Sequence, residues 1–133
     1  EHPLIGSPTN VERIKQIGEE GVMTLVCDST NAFRDGTSPS EAEVAKSLTG
    51  IIAEQTGQVA MTTFASNLAR VYAASEAAKA TKRRLLVAGR SLHRVIQVGI
   101  DTGYLPEDFA YVDQEHFSYM ERGEALVIAT GSQ

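Results

Sequence analysis

Side chains that could hold a phosphate or move a proton gather in four short groups: Asp28-Ser29-Thr30-Asn31, Ser66-Asn67, Gly89-Arg90-Ser91 and Thr130-Gly131-Ser132-Gln133. A guanidinium offers forked donors, and the amides and serine hydroxyl of a helix start complete a phosphate cradle, so Arg90 and Ser91 are candidates for that work. The ordinary account of this turn is a capped helix with an exposed arginine, and an N-cap accounts equally well for Ser66 and Asn67. Asp28 has the chemistry to bind a metal, orient a histidine or act as a base. An Asp-Ser-Thr run also commonly closes its own loop through an Asx turn.

Other chemistries have less support. The chain has neither a G-x-G-x-x-G nor a G-x-x-x-x-G-K-[ST], so a dinucleotide site and a P-loop lack their fingerprints. His2, His93 and His116 form no H-x-H or H-x-x-x-H pair, and Cys27 is the only cysteine, which argues against a self-contained zinc site. Cys27 is expected as a buried, inert thiol and His93 as a helix-surface or partly packed residue. Lys79, Lys82, Arg83 and Arg84 form the main basic cluster, as the dipole at a helix C-terminus favours.

The groups gain meaning from the elements that must position them. Thr9-Asn10-Val11-Glu12 has the form of a capping box, with Val11, Ile14 and Ile17 following at helical spacing and Gly18 and Gly21 closing the helix. Val22 to Cys27 is a continuous apolar run that predicts a strand buried on both faces, ending at Asp28. Ser38-Pro39-Ser40-Glu41 predicts a second helix start, with the helix running to about Gln55. Strands are predicted over Gln58 to Phe64, Leu85 to Ala88, Phe109 to Val112 and Ala125 to Ala129. Helices are predicted from Ser66-Asn67 to about Ala80, from Leu92 to about Thr102, and briefly over Gln114 to Tyr119.

Strands alternating with helices imply right-handed crossovers and a Rossmann-like α/β fold: an open, mainly parallel sheet with helices on both faces. In such sheets ligands collect at the carboxyl ends of the strands, and the four polar groups are expected to line that one rim. Strand order cannot be read from the sequence.

Composition narrows the function. The 133 residues are 42% apolar and 22% charged, enough for one domain over residues 1–133 with a core that needs no disulfide. Twelve Lys and Arg stand against 17 Asp and Glu, giving a net charge of -5, so any phosphate contact must be local rather than a product of overall charge. The single cysteine fits a reducing compartment, with the cytoplasm expected. No segment reads as a membrane span or a signal peptide.

Taken in order, the groups resemble one family. Val26-Cys27-Asp28-Ser29-Thr30-Asn31-Ala32, Thr37-Ser38-Pro39-Ser40-Glu41, Thr63-Phe64-Ala65-Ser66-Asn67, Val87-Ala88-Gly89-Arg90-Ser91 and Ala129-Thr130-Gly131-Ser132-Gln133 together resemble the β-CASP region of ribonuclease J. The resemblance covers nearly the whole chain. It implies a metallo-β-lactamase-fold nuclease into whose catalytic domain the β-CASP domain is inserted, with RNA threaded between the two. The parent enzyme would cleave RNA internally and degrade it from a 5′-monophosphate end.

On this resemblance Asp28 corresponds to the family's motif A acid beside the metal centre, in a supporting catalytic role that orients a downstream histidine. Ser29, Thr30, Ser66, Asn67, Arg90 and Ser91 would contact the RNA backbone or the terminal phosphate. The zinc motif H-x-H-x-D-H is expected before Glu1 and the later histidine motifs after Gln133. The chain is therefore expected to be an excised domain with no metal ligands of its own, inactive by itself, its zinc bound outside. The partners implied are RNA, the metallo-β-lactamase half of the same polypeptide and further copies in a homo-oligomer. Two alternatives remain: a non-catalytic Rossmann-like module binding a nucleotide or a protein, and a β-CASP relative acting on DNA or on messenger-RNA 3′ ends.

Overall fold

The computed structural model describes residues 3–30 and 32–131. Its centre is a sheet of four parallel strands: β1 (Val59–Thr63), β2 (Arg84–Ala88), β3 (Val112–Asp113) and β4 (Ala125–Thr130), side by side in the order β1-β4-β2-β3. Parallel neighbours cannot be joined by a tight turn, so helices carry the chain back. The returns are α3 (Leu68–Ala80) from β1 to β2, α4 (Arg90–Asp101) from β2 to β3, and a 3-10 helix over Gln114–Tyr119 before β4. Two earlier helices, α1 (Val11–Glu20) and α2 (Glu41–Ala53), precede the sheet.

The core lies where β2 and β4 meet α3 and α4. Leu85 and Val87 stand in register with Leu126 and Ile128, and these residues pack with Val71, Ala74, Ala77 and Ala78 of α3 and Leu92 and Ile96 of α4. Alanines let α3 approach the sheet closely. A closer approach still is made at Gly99, where an added methyl would stand 3.0–3.1 Å from Leu68 and Leu105. Three successive buried residues in β2, Leu85 to Val87, place this strand inside the sheet with both faces covered. β1 differs: Val59 and Met61 are half-buried against the core, while Ala60 and Thr62 are exposed on the opposite face.

Two polar clasps complete the fold. Arg70 of α3 donates from Nε and an Nη to the two carboxylate oxygens of Glu41, each at 3.1 Å, tying α2 to α3. Arg83, only 8% exposed, donates to the carbonyls of Gln55, Gly57 and Ala125 at 2.6, 2.8 and 3.2 Å. Burial sets Arg83 apart from Lys82 and Arg84, the exposed members of the basic cluster. The chain must pass from α3 into β2 through the left-handed residue Lys82, and Arg83 then spends its donors on carbonyls that the surrounding loops leave unpaired.

The N-terminal third departs most from expectation. Val22 to Cys27 forms no strand; Met23 and Val26 are 102% and 92% exposed, and Cys27 is exposed as well. An apolar run becomes a strand only when a neighbour accepts its amides and carbonyls, and no described residue does so. α1 forms but buries nothing.

Smaller shifts follow from local capping. Asn10, not Thr9, caps α1 by accepting from the Arg13 amide at 2.9 Å. Ser40 and Glu43, two residues on from the expected pair, make the capping box of α2, with the Ser40 amide donating to Glu43 at 2.7 Å. β3 is Val112–Asp113 rather than Phe109 to Val112, because Phe109 is drawn into the core and its amide closes a turn onto Pro106.

Candidate functional site

Three of the four polar groups do meet at one rim. In the parallel register Thr63 of β1 pairs with Thr130 of β4, and Ala88 of β2 pairs with Ala129, so Ser66-Asn67, Thr130-Gly131 and Gly89-Arg90-Ser91 leave the sheet at adjacent points. Neighbouring strands lie about 4.8 Å apart, so the ends of β1 and β2, with β4 between them, are separated by roughly 10 Å. The side chain of Thr130 lies beside Gly89, 3.5 Å from where a Cβ would stand. Ser132 and Gln133, also expected on this rim, lie outside the described residues, as does Asn31.

The two helix starts on the rim differ. α3 is capped: Asn67 accepts from the Arg70 amide at 2.9 Å, so its carboxamide oxygen is already occupied. α4 begins two residues earlier than expected, with Gly89 as its N-cap and no side-chain acceptor on the first turn. Gly89 has φ 119°, a region that suits glycine and not a capping serine. Arg90 and Ser91 are exposed in that first turn, beside backbone amides that carry the positive end of the helix dipole. Arg90, Ser91 and these amides offer hydrogen-bond donors that suit an anion.

Asp28 ends no described strand. It lies in the exposed N-terminal stretch, where the Thr30 hydroxyl donates to Oδ2 at 2.8 Å and the Thr30 amide to Oδ1 at 3.1 Å. This is the Asx turn. The hydroxyl bond first, then the amide bond, hold the carboxyl below the usual aspartate range. The expectation that Asp28 ends a buried strand is thus corrected for the same reason as the strand itself. Ser29 and Thr30 share its loop.

A cluster that the sequence concealed lies beside the rim. His93 of α4 has Nδ1 3.5 Å from the Tyr111 hydroxyl and 3.6 Å from Asp113 Oδ1, its ring 5.4 Å from that of Tyr111. Residues eighteen positions apart give no spacing signal, and only the pairing of β3 with β2 brings them together. Phe64, directly after β1 and 68% exposed, was also not singled out as a site residue.

A hollow of about 250 Å³ lies at the opposite end of the sheet, lined by Lys79, Arg83, Arg84, Ser75 and Tyr111. Its cations are already engaged: Lys79 with Glu76 at 2.9 Å, Arg84 with Glu124 at 3.9 Å, and Arg83 with backbone carbonyls. An anion arriving there would have to displace these partners, so the rim is the better candidate.

A model described as the ribonuclease J β-CASP domain matches residues 56–133. The chain belongs to the ribonuclease J family. It is 47% identical over 131 residues to Ribonuclease J of Sinorhizobium meliloti, covering 98% of this chain and 23% of that protein. It is 35% identical to Ribonuclease J of Thermus thermophilus, with 98% and 23% covered, and 34% identical to that of Helicobacter pylori, with 98% and 19% covered. The chain thus spans a fifth to a quarter of the length of these curated relatives. The four-stranded parallel sheet flanked by helices is consistent with the β-CASP domain.

Ribonuclease J enzymes are metal-dependent. Among the described residues no group of three His, Cys, Asp or Glu could hold a metal ion. His93 and Asp113 are too few, and both oxygens of Asp28 accept from Thr30. The donor set among the described residues does not fit the metal. Among the described residues no helix is long and apolar enough to cross a membrane.

Proposed function

We propose that this chain is the RNA-gripping β-CASP domain of a cytoplasmic, zinc-dependent ribonuclease of the ribonuclease J type. The whole protein would cleave RNA internally and from a 5′-monophosphate end, in RNA processing and decay. The family match supports the enzyme class. The observation that carries the domain's own role is the start of α4, where no side chain caps the first turn and Arg90 and Ser91 are exposed at the carboxyl end of a parallel sheet. Such a start favours a phosphate through the helix dipole, and the guanidinium adds charge-assisted bonds.

The net charge of -5 is compatible with this because the positive donors are local. An open rim holds RNA firmly only when a second wall faces it, a place for the metallo-β-lactamase half of the same polypeptide, which would carry the zinc. Ser66 and the free amide nitrogen of Asn67 would contact the RNA backbone beside Arg90. Asp28, with Ser29 and Thr30, would reach the metal centre from the N-terminal stretch and orient a histidine of that other half. Assembly as a homo-oligomer belongs to the same proposal.

The experiment is to incubate the intact protein with 5′-monophosphorylated RNA, with and without a chelator. Degradation that the chelator abolishes, and that Asp28→Ala lowers without unfolding the protein, supports the reading. Degradation indifferent to chelation removes the metal-dependent nuclease, and unchanged activity in Asp28→Ala removes Asp28 from the site.

A further inference from the structure

Phe64 is an aromatic residue with no structural employment in the described fold. It follows β1 directly, continues the exposed face begun by Ala60 and Thr62, and is 68% exposed, so burial does not explain it. Its backbone is nevertheless fixed, because its carbonyl accepts from the Asn67 amide at 3.0 Å in the turn that starts α3. Continuing the register beyond Thr63 and Thr130 places Gly131 beside it. Among the described residues, none beyond its chain neighbours comes within 4 Å of the position a Cβ on Gly131 would take. An exposed aromatic residue with an anchored backbone therefore stands at the strand end beside a residue without a side chain.

We propose that Phe64, over the open floor left by Gly131, is a stacking platform for one base of single-stranded RNA. The inference rests on the ribonuclease reading and deepens it. Aromatic rings take any base by its π-face, so this contact would hold the strand without reading its sequence. Arg90 and the α4 amides lie roughly 10 Å away across β4. The rim thus offers an anion site and an apolar flat surface, the two chemistries that a nucleotide presents. A protein partner would require a cluster of apolar neighbours around the ring. Here the neighbours on the rim are Ser66, Thr130 and Gly131, and RNA is the better fit.

The test uses the intact protein, with chelator present to keep RNA whole, and 5′-monophosphorylated oligoribonucleotides carrying 2-aminopurine at each of the first positions in turn. The wild-type protein should quench the fluorescence at one position. Phe64→Leu should abolish that quenching and weaken binding about tenfold, while Phe64→Tyr keeps both. Removing the base at that position should weaken wild-type binding similarly and add little to Phe64→Leu. Quenching and affinity unchanged in Phe64→Leu would overturn the platform and leave the nuclease reading standing. No binding of any RNA by the wild type would overturn both. A Phe64→Leu protein that loses thermal stability or changes oligomeric state would assign the ring to a protein contact and overturn the proposal.

Discussion

Val22 to Cys27 and Leu85 to Ala88 are two apolar runs of similar character with opposite fates. The second lies between β4 and β3, under α3 and α4, and Leu86 and Val87 are almost wholly buried. The first has no described neighbour, forms no strand and leaves Met23 and Val26 in solvent. An apolar run states a demand for burial; only a partner with free amides and carbonyls can meet it. The run that found its partners carries the rim at its carboxyl end, and the run that did not carries Asp28.

The contrast is sharpest in stability. Leu126→Ala or Leu86→Ala should destabilise the chain by roughly 3 kcal/mol in urea unfolding, because each leaves a cavity in a fully packed site. Leu25→Ala, in the exposed run, should change it by less than about 0.5 kcal/mol. Equal costs would break the comparison. Arg83→Met comes next: it strands the carbonyls of Gln55, Gly57 and Ala125 and should cost about 2 kcal/mol in the same measurement. The Arg70–Glu41 clasp is partly solvated, and a double-mutant cycle should return less than about 1 kcal/mol.

The smallest effect tests the exposed region by itself. Asp28 has a lowered carboxyl pKa, so its turn is stabilised above the ordinary aspartate range and loses that contribution as pH falls through the lowered value. A carboxyl titration followed by NMR should place Asp28 below an ordinary aspartate, and Thr30→Val should return it towards the usual range. A midpoint that does not move on Thr30→Val would remove the hydroxyl as the main cause.

Legibility in the sequence followed the same divide. The helices from Leu68 and Leu92 and the strands from Val59, Leu85 and Ala125 were readable because their apolar residues find burial within the described chain. The strand order β1-β4-β2-β3 was not, since pairing partners are set by crossovers that local pattern does not encode. Of the site, Gly89-Arg90-Ser91 was legible from its residue types. Phe64 was hidden by its hydrophobicity, which reads as core until its exposure is seen, and the His93, Tyr111 and Asp113 cluster was hidden by distance along the chain. Asp28 was legible as chemistry and misplaced as structure.

We propose that the start of α4 holds the terminal phosphate of RNA. The measurement is the affinity of the intact protein, under chelation, for one oligoribonucleotide bearing either a 5′-monophosphate or a 5′-hydroxyl, in the wild type and in Arg90→Gln. The account predicts that the wild type prefers the phosphate and that Arg90→Gln lowers this preference about tenfold while binding of the 5′-hydroxyl RNA hardly changes. A preference that survives Arg90→Gln intact would contradict it.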